Sequence, residues 1–212
     1  MEPTFLEKCI DQLNERQDCD LAFSKYRLID AQGKELAPEA RALPQDHRLT
    51  SSCPKERFED SMIDMTGSRH IFGVFRAEAL RQTPLIKSFA GSDLGLLIRM
   101  MLKAPLAEVG ECLFNSRRDD HCATIQFGAD KTAWNNWFDP KNADRKSYPI
   151  LQFWLMNVVS IMEAPLSLEE RTACFYKMWE RTMQDPHASV LIGEQFMLMA
   201  QDNTDILKDK LK

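Results

Sequence analysis

One carboxylate and one basic segment are the residues of this sequence best suited to chemistry. Residues 91–124 read GSDLGLLIRMMLKAPLAEVGECLFNSRRDDHCAT, with Asp93 at the start of an apolar helix pattern and Arg117, Arg118 and His121 after a strand-like run. A carboxylate kept ionised at a helix N-terminus suits a general base, which contributes about 10²–10⁴ in rate. Two guanidiniums beside an imidazole suit a diphosphate or an anionic leaving group. By position alone, a first-turn acid and a solvated basic loop are the commoner readings.

A second acidic pattern, Asp18-Cys19-Asp20, is a D-x-D string in which two carboxylates can share one hard divalent cation. The string stands between a predicted helix and a predicted strand. A polar turn that ends the helix is the commoner use of such residues. The sequence therefore predicts a turn here and no metal ligands.

The six cysteines occur singly, and none belongs to a C-x-x-C pair. This pattern argues against a zinc site and a small disulfide scaffold, and it fits a reducing cytosol. The sequence also lacks G-x-G-x-x-G, the Walker loop, G-x-S-x-G and H-E-x-x-H. It therefore carries no signature of the familiar dehydrogenases, P-loop NTPases, esterases or zinc proteases.

Composition indicates one soluble globular unit, or one domain with an appendage. The 212 residues are 44% apolar and 28% charged, with a net charge of −5, which gives no electrostatic footprint for nucleic acid. The N-terminus MEPTFLEKCI has no signal-peptide regions, and the apolar run 150–162 is too short to span a bilayer. We expect a cytoplasmic protein without a transmembrane segment or a nucleic-acid partner.

The elements that would position the candidate residues begin with a helix and a strand. Apolar residues in 5–13 recur at helical spacing, 21–29 reads as a strand, and Asp30 to Gly33 supply a turn. Apolar residues from 36 to 64 recur at neither helical nor strand spacing, which predicts a long loop that contains at most one short helix.

The next elements lead to the candidate residues themselves. The segment 70–76 reads as a strand, and residues 94–102 form one apolar helical stripe with Ser92 as its N-cap. Two short strands are predicted around 106–109 and 112–116. The sequence up to residue 130 is therefore mixed α/β.

Residues 131–212 read as a helical extension. The run 150–162 is predicted as a buried helix, Ser167 to Glu170 as a capping box that opens the next helix, and Asp185-Pro186 as the start of the last. The sequence thus predicts an α/β part over residues 1–130 and a helical part over residues 131–212.

The order of these pieces resembles the second half of bacterial family 2 glycosyltransferases. In that family an acidic metal motif is followed by P-x-F-L-x-x-C on a helix, a strand ending in I-D-x-x-G, an F-G-V-F-R strand, a G-x-D-x-x-L helix start and an Arg-Arg-His ending. This sequence reads EPTFLEKC, RLIDAQG, FGVFR, GSDLGL and FNSRRDDH in the same order, and WFDP and APLSLEERTACFYKMW are similar to the family's helical extension. The resemblance covers residues 2 to about 180 and implies part of the GT-A fold, a mixed sheet with helices.

The resemblance also implies roles for single residues. Asp93 matches the family's catalytic base, which would deprotonate an acceptor hydroxyl that attacks the anomeric carbon of a nucleotide-sugar with inversion. Arg117, Arg118 and His121 match the segment near the donor diphosphate and the acceptor, with an extra aspartate before the histidine. Phe72 and Arg76 match the family's strand that lies beneath the acceptor-binding side.

The resemblance does not include the family's first half, with its nucleotide-binding strands and acidic metal motif. Asp18 to Asp20 lies downstream of that motif's position and is not its counterpart. The resemblance therefore implies no cofactor for this chain alone, and Mn or Mg only for a complete enzyme with a nucleotide-sugar donor and a saccharide or lipid-linked acceptor. Strands without their partners would leave a sheet edge open to self-association.

Three interpretations of this partial match stay open. The sequence is a portion of a longer enzyme, a truncated relative that binds without catalysis, or one chain of a pair whose partner supplies the nucleotide half. The rival from another functional class is a non-catalytic binding module that uses the tryptophan-rich region 134–154. Its tryptophans can stack on a sugar ring, although core packing is their commoner use.

Overall fold

The computed structural model describes residues 1–36, 48–63, 68–127, 131–142 and 148–210, which form a mixed α/β fold with a three-stranded sheet. Two short segments, Ser68–Phe72 and Pro140–Asn142, are 3₁₀ turns. In chain order the other elements are α1 (Phe5–Glu15), β1 (Leu21–Ile29), α2 (Pro54–Ile63), β2 (Val74–Phe75), α3 (Ala77–Arg81), α4 (Ser92–Lys103), β3 (Ala107–Arg117), α5 (Ala123–Gln126), α6 (Lys131–Phe138), α7 (Pro149–Glu163), α8 (Leu168–Gln184) and α9 (Pro186–Lys210).

Strand β1 is the centre of the sheet, whose order is β2-β1-β3. It runs parallel to β3, with Ile29 opposite Arg117, and antiparallel to β2, with Leu21 opposite Phe75. Because β1 and β3 are parallel, their carboxyl ends meet at one edge of the sheet, which is where ligands bind in many open α/β sheets.

Strand β2 is an edge strand, since β1 is its neighbour among the described residues. The backbone groups on the other side of an edge strand can pair with a further strand. On the opposite edge, the N–H of Glu2 donates to the carbonyl of Leu113 at 2.8 Å. The predicted self-association through a sheet edge stays a prediction.

Helix α1 covers one face of the sheet. Of the apolar residues at helical spacing in 5–13, Phe5 and Cys9 are buried, whereas Leu6 and Ile10 are 59% and 47% exposed. The apolar stripe of α1 is therefore narrower than its spacing predicts. The core on this face is formed by Phe5, Cys9, Leu13, Cys19, Ala22, Ala107, Val109 and Leu113.

Helix α4 covers the other face and is buried on two sides. Leu97 and Met101 pack on the sheet beside Leu21 and Phe23. The opposite side of α4 packs on a layer of helices made by α2, α7 and α8. That second core contains Phe58, Leu94, Ile98, Leu102, Ile161, Ala164, Leu166, Cys174 and Met178.

The second core joins the two parts predicted from the sequence. Ile161 of α7 and Met178 of α8 come from residues 131–212, and they pack against Ile98 of α4 and Phe58 of α2. The boundary predicted at residue 130 falls between α5 and α6 and stays a prediction. The helical part nevertheless shares its buried side chains with the α/β part.

Local signals predicted several elements well. Strand β1 has the bounds predicted, Gly33 has φ +83 in the predicted turn, and α8 begins with the predicted capping box between Ser167 and Glu170. Asp185 accepts the N–H of Ala188 at 3.1 Å and so begins α9 as predicted.

Other element predictions were wrong. The two short strands after α4 are one strand, β3, and the strand predicted at 70–76 is a 3₁₀ turn followed by two residues of β2. Helix α7 is only partly buried, because Val159 and Met162 are exposed. In the segment 36–64 the structure has α2, which agrees with the one short helix allowed there, while residues 37–47 and 64 lie outside the described residues.

All six cysteines are free thiols, and burial raises the pKa of Cys9 and of Cys174 to about 11. These two side chains therefore act as small apolar residues at neutral pH. Within the described part of the chain, no helix has both the length and the apolar character needed to cross a bilayer.

The shared core predicts that residues 131–212 and the α/β part unfold together. Met178→Ala removes a side chain that is 0% exposed and should lower the free energy of unfolding by about 2–5 kcal/mol. Met183→Ala, on the same helix but at a position 56% exposed, is the matched control and should change little. Urea unfolding followed by far-UV circular dichroism should show one transition; separate transitions would contradict a shared core.

Burial of the thiol at Cys174 predicts a loss of stability at alkaline pH. The unfolded thiol ionises from about pH 9, while the folded thiol stays neutral until about pH 11, so its contribution is complete below pH 9 and is lost between these values. Between pH 9 and 11 the free energy of unfolding should fall less steeply in Cys174→Ala than in the wild type, by about 1 kcal/mol per pH unit. Equal slopes for the two proteins in urea titrations from pH 8 to 11 would contradict this expectation.

Candidate functional site

Asp93 is the second residue of α4 and is half-buried. Gly91 precedes the helix with φ +92, a left-handed conformation that favours glycine. The N-cap predicted at Ser92 is therefore wrong, because Ser92 is already helical and its hydroxyl donates to the carbonyl of Lys87 at 2.6 Å. First-turn N–H groups and the helix dipole favour an ionised carboxylate at Asp93.

Helix α4 is held at both ends. At its start, the Ser92 hydroxyl fastens the preceding loop to the helix. Near its end, the buried guanidinium of Arg57 donates to the carbonyl of Met101 at 2.6 Å and to that of Ser51 at 2.6 Å. Burial lowers the pKa of Arg57. The position of Asp93 is therefore set by a helix that is packed on two sides and anchored along its length.

The direction of α4 determines where Asp93 lies on the sheet. The helix ends at Lys103, whose Nζ is 3.4 Å from Oδ2 of Asp20, beside the amino end of β1. The amino end of α4 thus points toward the carboxyl ends of β1 and β3. Twelve helical residues span about 18 Å and eleven strand residues about 36 Å. Asp93 therefore lies beside the middle of β3, toward the edge at which the parallel strands end.

The basic segment forms a strand-end loop, residues 117–122, at that edge. The N–H of Arg118 donates to the carbonyl of Ile29 at 2.8 Å, which extends the strand pairing one residue past β3. Oδ1 of Asp119 accepts the N–H of His121 at 2.9 Å. The side chains of Arg117, Arg118 and His121 are exposed. The three predicted loop residues thus lie together at the carboxyl end of β3, while the lengths of α4 and β3 leave Asp93 several strand residues short of that end.

The charge of the strand-end loop is nearly balanced. Arg117 and Arg118 are followed directly by Asp119 and Asp120. Four formal charges of opposite sign in consecutive residues sum to zero. The loop needs a further cation nearby if it is to hold a diphosphate.

Arg76 lies at the opposite end of the sheet from the strand-end loop. Its Nε donates to the carbonyl of Cys19 at 2.9 Å, and its Nη2 donates to the carbonyls of Leu13 and Arg16. The structure therefore uses this guanidinium to satisfy carbonyls at the C-terminus of α1. The substrate contact predicted for Arg76 stays a prediction, and the structure does not bring it together with Asp93.

Phe72 lies over strand β3. Its ring stacks on that of Phe114, with centroids 5.3 Å apart and an angle of 15° between the planes. The side chain is 58% exposed. An exposed aromatic ring can pack on the apolar face of a sugar, which is compatible with the predicted acceptor contact.

Sequence reasoning missed Arg69, which stands three residues before Phe72 in the 3₁₀ turn. Its Nε donates to the hydroxyl of Ser116 at 3.1 Å, and its guanidinium carbon lies 4.4 Å from the ring centroid of Tyr26. The basic pair Arg69-His70 directly before F-G-V-F-R was the available signal. Arg69 thus lies near the carboxyl ends of β1 and β3.

The D-x-D string forms a turn in which each carboxylate has its own cation. Asp18 accepts two hydrogen bonds from Arg16, both 2.9 Å, and these lower the pKa of Asp18 to about 2. Asp20 faces Lys103, and Cys19 between them is buried. No group of three or more metal-ligating side chains lies together in the described ranges.

Two of the three tryptophans in the region 134–154 belong to an exposed aromatic cluster. Trp134 and Trp137 lie 5.8 Å apart and both contact Phe127, and Trp137 is 56% exposed. Trp154 instead donates from Nε1 to the hydroxyl of Thr182 at 3.3 Å and packs on the helical core. The cluster is a possible surface for the rival binding function.

A shallow depression of about 440 Å³ lies between α2 and α8 and contains none of the predicted site residues. Both helices pack on the side of α4 that faces away from the sheet. Its lining residues are Lys55, Glu169, Thr172, Ala173 and Tyr176. The chemistry-bearing residues at the sheet edge are therefore separate from this depression.

Comparisons with family models, with curated proteins and with solved structures give no match for this chain.

The contacts of Arg76 predict that its removal costs stability. Arg76→Gln leaves carbonyls at the end of α1 without their charged donor and should lower the free energy of unfolding by about 1–3 kcal/mol. Arg81→Gln is the matched control, because Arg81 is 72% exposed and pairs with an equally exposed Glu78, a contact worth at most about 1 kcal/mol. Urea unfolding measures both variants, and equal effects would contradict the capping role.

Proposed function

We propose that this chain is the acceptor-side portion of an inverting glycosyltransferase of GT-A type, completed by a nucleotide-binding half. One observation carries the proposal. Asp93 sits in the first turn of a helix buried on two sides, and the amino end of that helix points toward the sheet edge where β1 ends at Ile29 and β3 at Arg117. The order of the sequence motifs supports the same function.

The proposed reaction assigns Asp93 as the base. Its carboxylate accepts the proton of an acceptor hydroxyl while the hydroxyl oxygen forms a bond to the anomeric carbon of the donor sugar. The bond from that carbon to the diphosphate oxygen breaks, and the nucleoside diphosphate leaves with the electron pair. Attack opposite the leaving group inverts the anomeric centre. Because α4 is packed along two sides, the base is held in place without a cost of ordering at each turnover.

The strand-end loop and Phe72 would bind the two substrates. Arg117 and Arg118 can donate paired N–H groups to the oxygens of the leaving diphosphate, and His121, in the same loop, would contact the acceptor or the donor. In a complete enzyme a divalent Mn or Mg ion would neutralise part of the diphosphate charge. The exposed ring of Phe72 offers a surface for a saccharide.

The rival function is binding without catalysis. The cluster of Phe127, Trp134 and Trp137 supports it, since an exposed Trp137 beside two further rings can hold a sugar or a partner chain. In this case Asp93 would serve only the stability of α4. The two functions therefore differ in what substitution of Asp93 does.

The test uses the chain expressed with its nucleotide-binding half, supplied by the upstream part of the same reading frame or by a second chain. Asp93→Asn should lower transfer, followed as nucleoside diphosphate released from nucleotide-sugars, by about 10²–10⁴. It should leave donor binding intact and cost less than about 1 kcal/mol in stability. Asp185→Asn is the matched control, because Asp185 also begins a helix and accepts a backbone N–H.

Three outcomes would each contradict one part of the proposal. Unchanged turnover in Asp93→Asn would remove Asp93 from the mechanism. Binding of uridine diphosphate with manganese but no transfer to any acceptor would favour the binding module. A stop codon and unrelated sequence directly upstream would exclude a single-chain enzyme and leave only a two-chain arrangement.

A further inference from the structure

Helix α8 carries large apolar side chains on two opposite sides. Cys174 and Met178 are buried in the second core. Tyr176 is two residues from each of them, and two residues turn an α-helix by about 200°. On this opposite side Tyr176, Trp179 and Met183 are exposed. Because a surface helix of a globular protein usually has one apolar stripe, the second stripe of α8 indicates an interaction surface.

The exposed stripe of α8 has the spacing of a seam between paired helices. Its five residues follow one another at alternate steps of three and four, which is the a/d spacing of paired helices: Glu169, Thr172, Tyr176, Trp179 and Met183. The hydroxyl of Thr172 donates to the carbonyl of Leu168 at 2.8 Å. Burial of Thr172 against a partner would therefore leave its hydroxyl satisfied.

The surface around the exposed stripe contains both a depression and a large ring. Ala173 and Tyr176 line the shallow depression between α2 and α8. Trp179, one turn after Tyr176, is exposed. A surface that offers a large ring and a depression beside a small residue can fit a second copy of itself across a two-fold axis.

Antiparallel pairing of two α8 helices, with the two-fold axis at Tyr176, brings the ring and the depression together. Residues equally far before and after position 176 then lie opposite each other in the two copies. Trp179 of one copy lies opposite Ala173 of the other, at the depression. Met183 lies opposite Glu169, at the solvent-exposed ends of the seam.

The charges at the ends of α8 favour the same orientation. The first turn of α8 contains Glu169 and Glu170, and its last turn contains Arg181. Antiparallel pairing brings the acidic turn of each copy near the basic turn of the other and opposes the two helix dipoles. Parallel pairing would instead bring like charges together.

A lipid surface fits this face less well than a second copy does. Helices that lie on membranes have lysine and arginine along their polar side. Glu169 belongs to the exposed stripe, Glu180 is next to it, and the chain has a net charge of −5. Lys177, the nearest cation of α8 in sequence, is paired with Glu59 and Glu180.

The exposed area is sufficient for a reversible dimer. An aromatic side chain buries about 150–250 Å² when it is enclosed, and Phe175, Tyr176 and Trp179 are 41%, 61% and 48% exposed. Leu168 and Met183 are exposed beside them. Two copies therefore bury about 1,000 Å² together, which is close to the lower limit of specific interfaces and typical of reversible ones.

We propose that the exposed stripe of α8 binds a second copy of this chain, with the two α8 helices antiparallel and Trp179 of each copy in the depression of the other. The interface lies on the side of α4 that faces away from the sheet. The dimer is therefore independent of the proposed function, and failure of the transfer assay would leave it intact.

Sedimentation equilibrium of the purified chain, from micromolar to millimolar concentration, tests the dimer. The wild type should change from monomer to dimer over this range. Trp179→Glu should raise the dissociation constant about tenfold or more, because it removes a central aromatic anchor and places a charge at the depression. Phe196→Glu is the matched control, since Phe196 is 51% exposed and Trp179 48%, but Phe196 lies on α9. It should associate as the wild type does.

A second variant tests the depression itself. Ala173→Phe fills the space that the ring of Trp179 would occupy, so it should weaken the dimer as well. Far-UV circular dichroism shows whether this variant is folded. If it is not folded, the comparison of Trp179→Glu with Phe196→Glu decides.

Cross-linking tests the antiparallel orientation, in which Thr172 of one copy lies opposite Glu180 of the other. The variants Thr172→Cys and Glu180→Cys are made in a Cys53→Ser background, which removes the exposed thiol. A short thiol-reactive cross-linker should join the two variants when they are mixed, and it should join neither variant to itself.

Three results would overturn the proposal. The first is a wild type that stays monomeric at every concentration. The second is a dimer that Phe196→Glu disrupts and Trp179→Glu does not, or one in which Thr172→Cys cross-links to itself. The third is a monomer that sediments with vesicles of anionic phospholipid and loses this binding in Trp179→Glu, which would assign the stripe to a lipid surface.

Discussion

Burial of α4 on two sides is the constraint on which the rest of this structure depends. Leu97 and Met101 pack on the sheet, while Ile98 and Leu102 pack on α2, α7 and α8. A helix enclosed in this way cannot shift along its axis without opening both cores. Because α7 and α8 form one side of this enclosure, their buried side chains contribute to the stability of the α/β part as well. It also fixes the carboxylate of Asp93 relative to the strands.

The two ends of the sheet are used differently. At the amino ends of β1 and β3, Arg76, Lys103 and Asp20 bond to neighbouring elements and hold α1 and α4 against the strands. At the carboxyl ends, arginine side chains remain exposed, and Arg69 carries a buried N–H group without a partner. The exposed basic side chains thus lie at the carboxyl ends of the parallel strands, the edge at which ligands bind in many open α/β sheets.

The sequence pattern predicted correctly those elements that are determined by interactions between residues close together in the chain. Strand β1, the turn at Gly33 and the capping box at Ser167 each depend on residues within a few positions of one another. Strand β3 was predicted as two pieces, because exposed Gly110 and Glu111 interrupt its apolar pattern, whereas pairing with β1 keeps it continuous. The 3₁₀ turn before β2 was predicted as a strand, because a short apolar run does not distinguish the two. Arg69 was missed for a related reason, since Ser116, which holds it, is 47 residues away.

In the proposed enzyme Asp93 faces the acceptor hydroxyl, while Arg117 and Arg118 at the end of β3 face the diphosphate. A crystal structure of the complete enzyme with a nucleoside diphosphate and an acceptor tests it most directly. We expect a carboxylate oxygen of Asp93 at about 2.6–3.2 Å from the attacking hydroxyl, with Arg117 or Arg118 on the diphosphate oxygens. An acceptor hydroxyl bound by another base, with Asp93 turned into the helix N-terminus and the diphosphate away from both arginines, would contradict it.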